Sequence, residues 1–330
     1  MKSSENNMKL ERAVIEIFGG CNYSCGMCPQ SSGRGQDFNK KMPLDLFEGI
    51  LDEIIENHGT PNINLEGSGE PTLAKDLPKY VEACTRRGLR SYMTTNGSRM
   101  TGKFMRDVID AGLSFVRFSF IGYNADLYKK WMSKDNFYQV IRHAKETRDY
   151  INETNSTCEL FSYHLILDPA QKDFEIKEYQ NNFIDPVGST GYIWMMHNWS
   201  GNVTPEYSRN SKPKRSCGRP FAPVLTVRAG GLNGKHAAVT PCTQTMGPPN
   251  EAKSVLGHLE DQSIQGVLEG PPYQELRQKH SNNDFDSIDY CRNCDFLIED
   301  PEVLVWSNDP NATTETLIGT HVSLQKHKPK

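Results

Sequence analysis

No stretch of this 330-residue chain approaches the roughly 18 consecutive apolar residues that a membrane-spanning helix needs, so an integral helical membrane protein is excluded. The opening MKSSENNMKLERA has no apolar core. No secretory leader is therefore expected, and a cytoplasmic protein is. Basic excess is missing as well: 37 Lys and Arg stand against 41 Asp and Glu, a net charge of −4. A nucleic-acid binder would carry a basic footprint, so neither a nucleic-acid nor a membrane partner is expected. Internal repeats are absent. What the chain does have is nine cysteines, Cys21, Cys25, Cys28, Cys84, Cys158, Cys217, Cys242, Cys291 and Cys294. An odd number without an export signal suits a reducing compartment, where clustered thiols hold metal more often than they form disulfides.

Residues 12 to about 200 alternate strand-like and helix-like segments. Strand patterns fall at 14–18, 63–67, 91–97, 115–122, 158–167 and 192–199, and helical spacing at 43–57, 77–85, 103–112, 136–151 and 173–183. Strict alternation predicts an α/β fold, a partial (β/α)6 parallel barrel with helices outside. In such a barrel the chemistry sits at the C-terminal ends of the strands. The pattern changes after Gly201. The expected division is a flexible N-terminus (1–11), the barrel (12–204), a small α+β cysteine-bearing domain (205–306) and a loosely ordered polar tail (307–330). The third of these is poor in long apolar periodic stretches. A segment of that kind often needs a staple, and four cysteines lie in it.

The run CNYSCGMC places Cys21, Cys25 and Cys28 in the spacing CxxxCxxC just after the first strand. Three thiolates on one loop can hold three irons of a cubane and leave the fourth open to a chelating molecule. The alternative is a zinc site lacking its fourth ligand. The triplet at this place in a β/α barrel resembles the radical S-adenosylmethionine (SAM) superfamily. That resemblance implies a SAM-binding 4Fe–4S cluster whose open iron is chelated by SAM. Reductive cleavage of SAM then yields a 5′-deoxyadenosyl radical that takes a hydrogen atom from substrate. The family usually has an aromatic residue before the third cysteine; here it is Met27. GSGEPTL, with Gly67, Ser68, Gly69, Glu70 and Pro71, resembles the family's glycine-rich turn, where backbone groups meet the ammonium of SAM and glycine permits close approach. By the same resemblance Asn96 and Ser119 contact SAM, and Lys129 or Lys130 pairs with its carboxylate.

Cys217, Cys242, Cys291 and Cys294 can fill a complete tetrahedral or cubane site. Their context resembles the SPASM/twitch extension of the same superfamily, in the shorter twitch form with one auxiliary 4Fe–4S cluster. A structural zinc site is the alternative. Cys84 reads as a core residue. Cys158 reads as core or as a hydrogen-atom donor. Period-two alternation makes Glu16, Glu66, His164, Trp194 and Met196 possible lumen residues, with His197 and Trp199 nearer the mouth. Glu16, His164, His197 and Cys158 are therefore the catalytic candidates, a carboxylate or imidazole being able to take a proton during oxidation.

Within the resemblance, the early start of the barrel leaves no room for a peptide-recognition domain before it. That favours a small polar substrate, sugar- or cyclitol-like, oxidised with the auxiliary cluster as electron acceptor. A radical epimerase or a peptide-modifying maturase is the second expectation, and a zinc-stapled binding protein the distant third. A flavodoxin or ferredoxin is the expected electron donor.

Overall fold

Short runs rich in Val, Ile, Phe, Tyr and Thr become parallel strands here because helix-forming stretches separate them and carry the chain back. The computed structural model describes residues 7–33, 35–203, 213–248 and 250–298, with the strands Val303–Trp306 and Leu324–Lys326. The first six strands are β1 (Arg12–Ile15), β2 (Asn62–Asn64), β3 (Ser91–Thr95), β4 (Phe115–Ser119), β5 (Glu159–Ile166) and β6 (Thr190–Met195). They pair in sequence order and all in parallel. The helices between them are α1 (Leu44–Glu53), α2 (Leu77–Arg86), α3 (Gly102–Asp110), α4 (Ala125–Met132), α5 (Phe137–Thr154), α6 (Lys172–Tyr179) and the single turn α7 (Asp185–Val187).

The helices bury one stripe each. In α1, Phe47, Ile50 and Leu51 fall at i, i+3 and i+4 and are all buried. Phe47 meets Tyr80 of α2 edge to face at 5.1 Å, which fixes the two crossover helices side by side. Helix α4 is one the sequence pattern did not announce. Its buried face is Tyr128, Trp131 and Met132 at i, i+3 and i+4, with Lys129 and Lys130 on the exposed side. Asn124 caps it, its side chain accepting from the Leu127 amide at 2.9 Å.

The C-terminal segment does not form a separate layer. Strand β7 (Val224–Gly230) runs parallel to β1, with Arg12 opposite Val224. β8 (His236–Val239) and β9 (Gly257–His258) follow it antiparallel. Helices α8 (Ile264–Leu268) and α9 (Pro271–Ser281) come next in the chain. On the other edge β10 (Val303–Trp306) pairs antiparallel with β6, and β11 (Leu324–Lys326) runs parallel to β10. One sheet of 11 strands results, in the order β11-β10-β6-β5-β4-β3-β2-β1-β7-β8-β9. The expected cysteine-bearing segment 205–306 is joined to the barrel through this sheet: β1 has a free edge once β2 is paired, and β7 takes it up. The expected boundary near 204 lies outside the described residues, as do residues 1–6 and most of the tail; within the tail, Leu324–Lys326 is a strand. No described helix is long and apolar enough to cross a membrane.

Candidate functional site

The inner face of the curled sheet encloses a cavity of about 280 Å³. Alternate residues line it, as strand geometry requires: Arg12 and Val14 from β1, Arg117 and Ser119 from β4, Tyr163 and Leu165 from β5. The loop beyond the C-terminal end of β1 supplies Cys21, Cys25 and Cys28 to the same wall. Helix α4 holds that loop in place. The Gly26 amide donates to the Trp131 carbonyl at 2.8 Å, and the Ser133 hydroxyl donates to the Ser24 carbonyl at 2.5 Å. Met27 is buried against the cavity.

The three thiols are close enough to act on one another. Burial pushes Cys21 up to about 12, with the charge of Glu70 adding. Burial, then Cys28 and Cys21, pushes Cys25 well above the ordinary thiol range. A cationic partner is what such buried thiols need to ionise, and an all-sulfur donor set suits iron–sulfur chemistry. Among the described residues no three Cys, His, Asp or Glu side chains converge on one metal ion. A cubane places each thiolate on a different iron, so the residues present fit it.

The glycine-rich turn is built around carboxylates. A Cβ on Gly69 would lie 1.9 Å from the Phe18 carbonyl oxygen and 2.8 Å from that of Gly20. A Cβ on Gly67 would lie 2.5 Å from the Glu16 side chain. Both glycines thus serve protein–protein approach. Glu16 Oε1 accepts from the amides of Ser68 at 2.9 Å and Gly69 at 3.2 Å, and its Oε2 from the Ala229 amide at 3.1 Å. Glu70 lies beneath the same turn. Its Oε1 accepts from the Thr72 amide and from the hydroxyls of Thr72 and Thr95, and its Oε2 from the Asn96 amide at 2.7 Å. Burial pushes the Glu70 carboxyl up while these four donors pull it down. Glu70→Gln would turn an amide NH2 toward groups that can only donate or already donate. A loss of about 1–3 kcal/mol in stability is expected, read from the denaturant midpoint. An unchanged midpoint would remove Glu70 as the anchor of this turn.

Several sequence candidates do not reach the cavity. Glu16 is 1% exposed, lies outside the cavity wall and holds the turn and Arg228. His164 points to the opposite face of β5. It accepts the Gly122 amide at 3.3 Å, meets Glu175 at 3.4 Å and stacks on Tyr179 at 4.6 Å. Cys158 precedes β5 at the N-terminal end of the strand, buried away from the cavity wall with its thiol raised to about 12 by burial. Lys130 is exposed on α4 with its ammonium 5.1 Å from the Trp131 ring, and Lys129 pairs with Asp135 at 2.8 Å. Neither lines the cavity. Pro71 opens the short turn behind Glu70, and Met196 is buried off the wall. His197, Trp199, Trp194, Glu66, Asn96 and Ser119 do line it. Asn96 donates to Asn22 Oδ1 at 2.9 Å, tying the end of β3 to the cysteine loop.

The second set of thiols also assembles. Burial, then Cys242, raises Cys217. Burial raises Cys291 and Cys294, with Cys242 and Cys217 adding to both. Phe285, Phe296 and Leu297 pack around Cys294, with Cys217 and Cys291 against them. Of the four, Cys242 alone is in the cavity wall. Sequence reasoning missed Arg12, Arg117, Arg219 and Gln244, which line the cavity too. For Arg12 and Arg117 the signal was present: each is a charge at an inward position of an otherwise apolar strand, RAVI and FVRFS.

Comparison with known proteins follows the same lines. The profile of the Radical SAM superfamily matches residues 15–165, and that of the SPASM iron–sulfur cluster-binding domain matches 233–295. A probable GTP 3′,8-cyclase of Metallosphaera sedula is 29% identical over 145 residues, 42% of this chain and 43% of that protein. A PqqA peptide cyclase of Bradyrhizobium diazoefficiens is 28% identical over 41% of this chain and 35% of its own. The chain thus spans less than half the length of these curated relatives. Among solved structures, BtrN in complex with AdoMet and 2-DOIA has a TM-score of 0.59 at 17% identity, covering 88% of this chain and 94% of that one. SuiB of Streptococcus suis bound to precursor peptide SuiA also reaches 0.59, at 14% identity, over 82% of this chain and 67% of that one. The chain belongs to the radical SAM enzymes, which bind a 4Fe–4S cluster and SAM, and it carries their C-terminal SPASM iron–sulfur extension.

Proposed function

We propose that this enzyme oxidises a small polar molecule, sugar- or cyclitol-like, within the cavity between its two thiol sets. The observation that carries this reading is that one cavity has both Cys21, Cys25 and Cys28 and Cys242 in its wall. A substrate held there is within reach of both cluster sites. When bound, the two 4Fe–4S clusters and SAM supply hydrogen-atom abstraction and an acceptor for one electron. On this reading Cys21, Cys25 and Cys28 hold the SAM-binding cluster, and Cys217, Cys242, Cys291 and Cys294 the auxiliary one. Met27 gives SAM an apolar surface. The backbone of Gly67, Ser68 and Gly69, shaped by Glu16 and Glu70, faces the ligand with Asn96 and Ser119. His197 takes the proton released on oxidation, a role its position in the wall supports.

The small-molecule choice draws on the likeness to BtrN, solved with 2-DOIA. Epimerisation through Cys158 loses its support, because that thiol is not in the wall. The nine free thiols suit a reducing compartment, the cytoplasm, where a flavodoxin or ferredoxin would deliver the electron.

The test is anaerobic. Reconstituted protein should carry about eight irons per chain with matching sulfide. It should form 5′-deoxyadenosine from SAM under dithionite. Zinc without labile sulfide would reject the enzyme reading, and solvent deuterium in the product would reject the dehydrogenase.

A further inference from the structure

Three guanidinium groups share the wall with the cluster cysteines: Arg12 of β1, Arg117 of β4, and Arg219 of the turn that leads into β7. Arg12 opens β1 and is the register partner of Val224, which opens β7. Arg12 and the Arg219 turn therefore lie toward the N-terminal ends of their strands, whereas the Cys21–Cys28 loop follows the C-terminal end of β1.

Among the described residues of the wall, the carboxylates beside these three cations are Glu66 and Glu70. Glu66 stands 3.7 Å from Arg117 and already accepts from Asn64 at 2.9 Å. Glu70, the other carboxylate there, has both oxygens taken by Thr72, Thr95 and Asn96. Arg117 is aimed by the Thr94 hydroxyl, to which its Nε donates at 3.0 Å, and lies 5.2 Å from the Tyr163 ring centroid. Arg219 stands over the Phe296 ring at 4.3 Å. Burial brings Arg12 down to about 10; Glu66 opposes this, and Arg219 and Arg117 add to it. A bound anion would relieve that strain.

A second observation points to a ligand independently. Trp194, Trp199 and Gln244 line this wall, and their Nε1, Nε1 and Oε1 atoms are buried with no hydrogen-bond partner among the described residues. Gln244 is only 6% exposed. Buried polar groups are normally satisfied, so these two donors and one acceptor suit a polar ligand that completes them.

We propose that Arg12, Arg117 and Arg219 bind an acidic group of the substrate, a carboxylate or a phosphoryl group, so that the enzyme acts on a small organic anion whose polar groups meet Trp194, Trp199 and Gln244. This rests on the cavity being the substrate site. Planar guanidinium forks suit both acids, and two or three of them hold one orientation.

Anaerobic calorimetry on the reconstituted, SAM-loaded protein tests this with three probes of similar size: D-glucuronate, glucose 6-phosphate and neutral D-glucose. At least one anion should bind ten or more times more tightly than glucose. Arg117→Gln and Arg12→Gln should each remove about tenfold or more of that preference, and Arg117→Lys should restore part of it. Preference for glucuronate alone identifies a carboxylic acid, and preference for the sugar phosphate alone identifies a phosphoryl group. Equal binding of all three, or no saturable binding by either anion, overturns the proposal. Deoxyadenosine formation from SAM is followed separately without any probe. If SAM is cleaved but no anion is preferred, only this inference fails. If SAM stays intact, the radical reading fails, whatever the charge preference of the cavity.

Discussion

Cys28→Ser should lower the iron content from about eight to about four per chain and abolish deoxyadenosine formation, because a hydroxyl is a poor ligand where a thiolate held an iron. The fold should survive. Cys28 closes a turn whose hydrogen bond, from its amide to the Cys25 carbonyl at 3.0 Å, is made by backbone alone. The loop's anchors on α4 do not use the Cys28 side chain either. Cys291→Ser should also cost about four irons, but from the other site, and SAM cleavage should persist. The two variants therefore match in iron analysis and differ in activity toward SAM. If Cys291→Ser also stopped SAM cleavage, the two thiol sets would not be independent. If Cys28→Ser left it intact, the triplet would not be the SAM site.

Much of this was legible in the sequence because it depends on local spacing. The CxxxCxxC triplet, the GSGE turn and the late CxxC pair each concern residues within one loop. Strand alternation likewise gave six parallel strands with errors of only a few residues at their ends. What escaped depended on residues far apart. The direction in which His164 points is set by register, and a shift of one position would have reversed it. The roles of Gly67 and Gly69 could not be assigned without knowing that Phe18, Gly20 and Glu16 pass beneath them. The same holds for β7: its apolar run announces a strand but not that its neighbour is β1. Helix α4 is only eight residues long and shows one i, i+3, i+4 set of apolar residues, too short a window for its period to stand out, although it is the element that carries the cysteine loop.

Arg228→Met should destabilise the protein by about 3–5 kcal/mol, the range expected when one partner of a buried ion pair is removed. Arg228 is fully buried on β7. It lies 3.4 Å from Glu16 on one side and 3.4 Å from Glu251 on the other, with its guanidinium 4.9 Å from the Phe38 ring centroid. Without it, two carboxylates of 1% and 8% side-chain exposure would lose the cation between them. The effect should travel, because each carboxylate also holds backbone. Glu16 fixes the Ser68–Gly69 turn, and Glu251 accepts from the Gly35 amide at 3.3 Å, beyond the cysteine loop. Weaker SAM binding should accompany the lost stability, even though Arg228 is not in the cavity wall. Neutralising all three groups together, as R228M/E16Q/E251Q, should recover part of the folding energy, since no charge is then left buried alone. Denaturant midpoints of the single and triple variants measure this. A single variant within about 0.5 kcal/mol of the parent, the range of an ordinary surface change, would mean that β7 is joined to β1 by its backbone ladder alone.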